Sequence, residues 1–347
     1  SKLGTKYKKK NIFITSGNMN ANCIVFDTIR KANTKIKKAL HISPYFPPTE
    51  EQIWDSGLES RYLNFGEYRG EEFHRQLEKV LGEVEYLFMN ITSPNNPTGK
   101  VFFNKDLKKM GKLSNKHKVF VNQDATYLGM VWEGKPNYDT IANHSKYYFL
   151  TISASKLCSS PGNRIGAIVA PDEVLNMESE DFLEFYPPPD RKTSPKTFGE
   201  KLKRKVMLDI TSANTSGMYA FEKFFEVINR GDESYFDDQR KFYGERLRAV
   251  RGIIESLDVV EEMDYGIKKQ PPATFYITMG PKKGLEMNSR DFSIALARYG
   301  VLTVPIGPPL GIFGEYKMNG VRVCVSKLDE EASLFKERME LFNRHYS

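Results

Sequence analysis

Cysteine is scarce. The 347 residues contain three, Cys23, Cys158 and Cys324, far apart and without a C-x-x-C pair. This excludes a disulfide framework and points to a reducing cytoplasm. Five histidines, at 41, 74, 117, 144 and 345, show no metal-ligand spacing, so no metal is expected. No apolar run approaches the ~20 residues of a membrane span, and no membrane partner is expected. The opening "SKLGTKYKKK" has no apolar core and does not read as a signal peptide. Basic residues exceed acidic ones by 51 to 44, a net charge of +7. The excess lies in scattered lysine runs ("KYKKK", "KIKK", "KLKRK") without any nucleic-acid motif, so these read as solvated faces and no nucleic acid is expected. With 40% hydrophobic residues the chain has material for about two domains with full cores.

The richest stretch is "TISASKLCSSPGNRIG", which sets Lys156 after two hydroxyls, Ser153 and Ser155, and eight residues before Arg164. A lysine amine becomes useful when it condenses with a carbonyl to form a Schiff base. Pyridoxal phosphate needs such a lysine, hydroxyl and guanidinium groups for its phosphate, and a carboxylate near its ring nitrogen. A lone Ser-x-Ser-Lys is common by chance, but this one has company.

Upstream, "NITSPNNPTGKVF" follows the apolar "EYLFMNI", and "KVFVNQDATYLGM" runs from an apolar strand into Asp124 and Tyr127. In open α/β sheets ligands sit beyond the carboxyl ends of the strands, so both segments aim polar residues at one crevice. Singly, Asn96, Asp124 and Tyr127 are explained by turn chemistry; their order and joint occurrence are not. The strand "NIFITSG" turns at Gly17 into "NMNANCIVFDTIRKA", with Ala21, Ile24, Val25 and Ile29 at helical spacing. A helix opening there offers free backbone N–H groups to a phosphate.

Together these segments resemble the class I/II aminotransferases, among the fold-type-I pyridoxal-phosphate enzymes, from about Asn11 to the C-terminus. The resemblance implies an α/β fold. A large cofactor domain with a mostly parallel sheet sandwiched by helices would take residues 1–236, and a smaller C-terminal α/β domain 237–347. It implies that Lys156 carries pyridoxal 5'-phosphate. Asp124 would pair with the ring nitrogen, and Asn96 and Tyr127 would bond the phenolic oxygen. "DATY" keeps the family's Asp–Tyr spacing, although Thr126 stands where alanine is usual. The phosphate would fall to Ser153 and Arg164, with Ser155 as a helper, and to the backbone of Asn18 and Met19 after Gly17. "PYFP" offers Phe46, or its neighbour Tyr45, for the ring face. The family's carboxylate-binding arginine matches Arg322, after "PIGPPLGIFG"; a guanidinium fork suits a carboxylate. With Asn96 it would bind substrate.

The resemblance also implies a homodimer with active sites at the subunit interface. In the family a substantial segment precedes the first strand, supplying an arm, part of the small domain and a Tyr that reaches the partner's phosphate; that segment is expected to be missing here. Residues 177–209, with a proline triplet, read as a long connection of little regular structure, either a lid or a surface excursion. "TSANTSGMYAFEKFFEVI" reads as a helix, 233–257 as the connecting helix, and "ATFYITM", "SRDFSIALARYG", "VLTVPIG" and "NGVRVCVS" as strand, helix, strand, strand.

Three readings compete. The first is an aminotransferase acting between an amino acid and a 2-keto acid. The second is another reaction of the same cofactor, decarboxylation or C–S and α,β-elimination. The third is a non-catalytic or regulatory cofactor-binding protein, against which the intact polar set speaks.

Overall fold

The computed structural model describes residues 7–65, 68, 70–133, 139–185, 194–263, 272–307 and 318–347. Seven strands form the larger sheet: β1 (Ile12–Thr15), β2 (Lys38–Ser43), β3 (Glu59–Asn64), β4 (Phe88–Thr92), β5 (Phe120–Asp124), β6 (Tyr148–Ser153) and β7 (Gly166–Val169). Their order is β1-β7-β6-β5-β4-β2-β3. β7 runs antiparallel to both its neighbours, and every other pairing is parallel. β4, β5 and β6 are buried at every residue, as expected for central strands covered on both faces.

One face packs against the helix Gly17–Ala32, whose Ala21, Ile24, Val25 and Ile29 are fully buried, matching the spacing in the sequence. The other carries the helices Glu71–Glu83 and Asn104–His117, through Phe73, Leu77, Leu107 and Met110.

The segment 177–209 differs from its sequence reading. Residues 186–193, which hold the proline triplet, lie outside the described residues, but Phe198–Ile210 is a regular helix. Thr197 and Glu200 cap it reciprocally, and Phe198 and Leu202 are buried with Phe26 and Ile29 of the first helix. It is a layer of the core. The pattern hid it because four of the five residues from Lys201 to Lys205 are lysine or arginine.

The smaller sheet is antiparallel, in the order β10-β11-β9-β8, from β8 (Val260–Glu262), β9 (Tyr276–Pro281), β10 (Val304–Pro305) and β11 (Val321–Cys324). The helix Ser234–Glu255 leads into it: Phe236 packs in the core of the larger sheet, whereas Leu247, Val250 and Ile254 pack in that of the smaller. The strand expected over "VLTVPIG" shortens to Val304–Pro305, and 308–317, most of "PIGPPLGIFG", lies outside the described residues.

The two sheets meet behind the Asn96 loop. Thr274 N–H donates to Met130 O at 2.9 Å, and Trp132 N–H to Pro272 O at 2.9 Å. Gly99 has φ +65°, and a Cβ there would lie 2.9 Å from Ala273 O and 3.0 Å from Tyr276 O. Only glycine lets the chain turn this close to the backbone leading into β9.

Candidate active site

The carboxyl ends of β4, β5 and β6 deliver three segments to one cavity of about 210 Å³. Lys156 stands in a single helical turn, Ala154–Leu157, directly after β6. Ser153 opens that turn as its cap, with Ser155 N–H donating to Ser153 Oγ at 3.1 Å. Ser153, Ser155 and Lys156 all line the cavity.

One end of the cavity gathers hydrogen-bond donors. The helix Gly17–Ala32 opens with Asn18 and Met19 on the cavity wall. Gly17 has φ +80°, a left-handed conformation that favours glycine, and a Cβ there would lie 2.5 Å from Arg164 Nη2 and push the guanidinium aside. The guanidinium thus lies across the turn, donating to Ser16 O and Pro161 O at 3.3 Å each. Both polar side-chain atoms of Asn18 are buried without a partner. Free helix N–H groups, a guanidinium and two serines make a site for phosphate.

Towards the middle of the cavity is a buried carboxyl. Asp124 ends β5, with Thr126 N–H donating to Oδ1 at 2.9 Å. Burial pushes its pKa up, and the Thr126 hydrogen bond together with the neighbouring Asn22 and Asn18 amides opposes this in part. A carboxylate held so is best satisfied by a cationic partner. Tyr127 is held well above the usual phenol range, chiefly by burial and then by Tyr276. It is therefore a neutral donor. Asn96 Nδ2 lies 3.5 Å from its hydroxyl, and the Tyr276 hydroxyl 3.4 Å away.

Lys156 is half-buried, and burial lowers its pKa; the nearby Arg322 charge lowers it further, while Cys324 acts in the opposite sense. Its Nζ sits 5.2 Å from the centroid of the Phe275 ring. Partial desolvation of this kind favours the neutral, nucleophilic amine.

The structure also separates the two aromatic candidates. Phe46 lines the cavity, whereas Tyr45 is buried in a parallel stack on His41, centroids 3.6 Å apart. Asn96, Asp124, Tyr127 and Arg164 line the wall as well. Arg322, on β11, stands behind it: Nη1 donates to Asn96 Oδ1 at 2.8 Å and the guanidinium lies 4.3 Å over the Tyr276 ring. Sequence reasoning missed Phe275, Tyr276 and Asn22. The first two come from the other sheet; Asn22 lies one helical turn after Asn18, the one signal that could have found it. Among the described residues no group of three or more His, Cys, Asp or Glu side chains could hold a metal, and no helix is long and apolar enough to cross a membrane.

The sequence profile described as aminotransferase class I and II matches residues 1–333. Valine–pyruvate aminotransferase of Escherichia coli (strain K12) is 29% identical over 188 residues, covering 50% of this chain and 43% of that protein. S-alkyl-thiohydroximate lyase SUR1 of Arabidopsis thaliana is 23% identical over 342 residues, covering 97% of this chain and 66% of that protein. The chain thus spans between 43% and 66% of the length of these two curated relatives. The solved structure of an alanine aminotransferase from Pyrococcus furiosus superposes with a TM-score of 0.76 at 17% identity, over 99% of this chain and 79% of that one. The fold is shared.

Proposed function

The chain belongs to the aminotransferase class I and II family, and we propose that it moves an amino group between an amino acid and a 2-keto acid with pyridoxal 5'-phosphate held at Lys156. The observation that carries this is the convergence of Lys156, Asp124, Tyr127, Asn96 and Arg164 on one cavity wall. The orphaned Asn18 amide and the left-handed turn at Gly17, with the Arg164 guanidinium across it, fit a phosphate-bearing group there.

When bound, the cofactor supplies a carbonyl for amines and a ring that accepts electrons released at the substrate's Cα. The chain supplies the rest. Arg164, Ser153, Ser155 and the N–H groups following Gly17 hold the phosphate, and Phe46 packs on the ring. Asp124 keeps a proton at the ring nitrogen; Tyr127 and Asn96 donate to the phenolic oxygen. The Lys156 amine would take the proton from the substrate Cα as a general base. Arg322, with Asn96, orients the substrate carboxylate.

The family relationship supports a homodimer, and the sparse unpaired cysteines a cytoplasmic location. The passage of the helix Ser234–Glu255 from one core to the other supports a division into 1–236 and 237–347. A second reading is supported by the likeness, over 97% of this chain and 66% of that protein, to the Arabidopsis lyase: C–S elimination on the same residues.

Borohydride treatment of protein loaded with pyridoxal phosphate should fix the cofactor to the peptide bearing Lys156. In a separate, untreated sample of the loaded protein, keto acid and pyridoxamine phosphate should form from an amino donor. Label on another lysine contradicts the site; ammonia and thiol as products establish the lyase.

A further inference from the structure

Beneath Asp124, on the side covered by the helix Gly17–Ala32, a row of polar side chains crosses the larger sheet. His41 on β2, Asn90 on β4 and Asn122 on β5 are register partners, and all three are fully buried. Such positions in a parallel sheet ordinarily hold Val, Ile or Leu. Leaving a polar group unpaired there costs roughly 1–3 kcal/mol.

The hydrogen bonds of the row have a direction. Asn122 Nδ2 donates to Asn90 Oδ1 at 2.8 Å and to Asn22 Oδ1 at 3.2 Å. Thr151 Oγ1 also donates to Asn22 Oδ1, at 3.1 Å. Asn90, its oxygen taken, turns Nδ2 to His41 Nε2 at 2.7 Å. With that nitrogen as the acceptor the ring is neutral and its proton is on Nδ1, which is buried without a partner. Burial agrees, holding the His41 pKa down to about 3. At the other end, two donors fix the Asn22 amide against turning over. Its Nδ2 is buried and makes no hydrogen bond in the structure. Asn22 accepts from Thr151, the register partner of Asp124, so this amide stands beside the Asp124 carboxyl, whose pKa the Asn22 side chain lowers.

We propose that Asn22, locked by Asn122 and Thr151 and backed by Asn90 and neutral His41, is a positioning residue that donates to the Asp124 carboxylate and sets its proton affinity. The significance of this for catalysis rests on the proposed function, but the pairing of Asn22 with Asp124 involves no cofactor. Asn18 and Thr126 act on the same carboxyl, and Tyr127 is the titratable side chain coupled to it.

The test is a titration of the Asp124 carboxyl in cofactor-free protein, by carbon NMR of labelled aspartate assigned with Asp124→Asn. Asn22→Ala removes the donor, and the midpoint should rise by about half a pH unit or more. Thr151→Val, nearly the same shape, releases one lock and should shift it the same way by less. An unchanged midpoint in folded Asn22→Ala overturns the proposal. Should that variant not fold, an unchanged midpoint in Thr151→Val does so. A shifted midpoint in a protein that never attaches pyridoxal phosphate at Lys156 upholds the positioning role and sinks the proposed function instead.

Discussion

Arg322 Nη1 donates to Asn96 Oδ1 at 2.8 Å, tying β11 of the smaller sheet to the loop after β4 across 226 residues of sequence. The same guanidinium rests on the Tyr276 ring, and its Nε is buried without a partner. An arginine fixed on one prong with a donor in reserve is prepared for an anionic ligand.

Arg322→Lys should therefore separate substrate binding from cofactor binding. A lysine keeps the charge but loses the fork and its hold on Asn96. Amino-acid affinity should fall by about 1.5–3 kcal/mol, roughly 10- to 150-fold, with pyridoxal phosphate retained. Amines without a carboxylate should be indifferent to the change. Steady-state kinetics on paired amino acid and amine substrates decides this, and equal losses on both would remove the carboxylate role.

Asp124→Asn should trade activity for stability. Burial raises the Asp124 pKa in the folded chain, so its contribution is fully present below the unfolded carboxylate pKa. It is lost as pH rises through the folded value. The cofactor-free variant should thus be more resistant to urea than the parent at neutral pH, with the gap closing in acid. The loaded variant should lose most turnover, because a neutral amide cannot hold a proton at the ring nitrogen. Urea curves at pH 4 and pH 7 that show no change in the gap would contradict the burial argument.

Legibility in the sequence followed locality. Lys156, Asp124 and Asn96 could be found because each follows an apolar strand in sequence, where chemistry in such sheets gathers. The helix Gly17–Ala32 declared itself through its apolar spacing. The row His41–Asn90–Asn122 did not, because its meaning comes from strand register, which no single segment states. Tyr276 and Phe275 were hidden likewise: they reach Tyr127 and Lys156 respectively only through the packing of the second sheet. For Phe198–Ile210 the signal was present but outweighed, Thr197 and Glu200 forming a capping box ahead of a charged stretch.

That helix gives a stability prediction. Leu202 is fully buried beside Phe198 and Phe182. Leu202→Ala should cost about 2–5 kcal/mol, the range for a core leucine. Thr197→Ala, which removes only the cap, should cost about 1 kcal/mol. Urea denaturation of both variants tests the order. A Leu202→Ala protein as stable as the parent would return this segment to the status of a surface excursion.

His41 makes the polar row sensitive to acid. Its pKa falls from the usual 6.5 to about 3 on folding, because burial excludes the charged ring. A base with a depressed folded pKa contributes stability that is complete above its unfolded value and lost as pH falls towards the folded one. The window is therefore pH 6.5 down to about 3. The total is roughly 3–6 kcal/mol over that range. His41→Gln keeps an acceptor for Asn90 but cannot titrate. Carboxylates elsewhere weaken both proteins equally, so the difference between their curves isolates His41. Unfolding free energies of cofactor-free parent and variant, measured from pH 8 to pH 4, should diverge in slope below about 6.5, the parent falling more steeply. Parallel curves would mean that His41 is solvated or charged in the folded chain. Asn90 would then be free to turn over, and the fixed direction of the row leading to Asp124 would go with it.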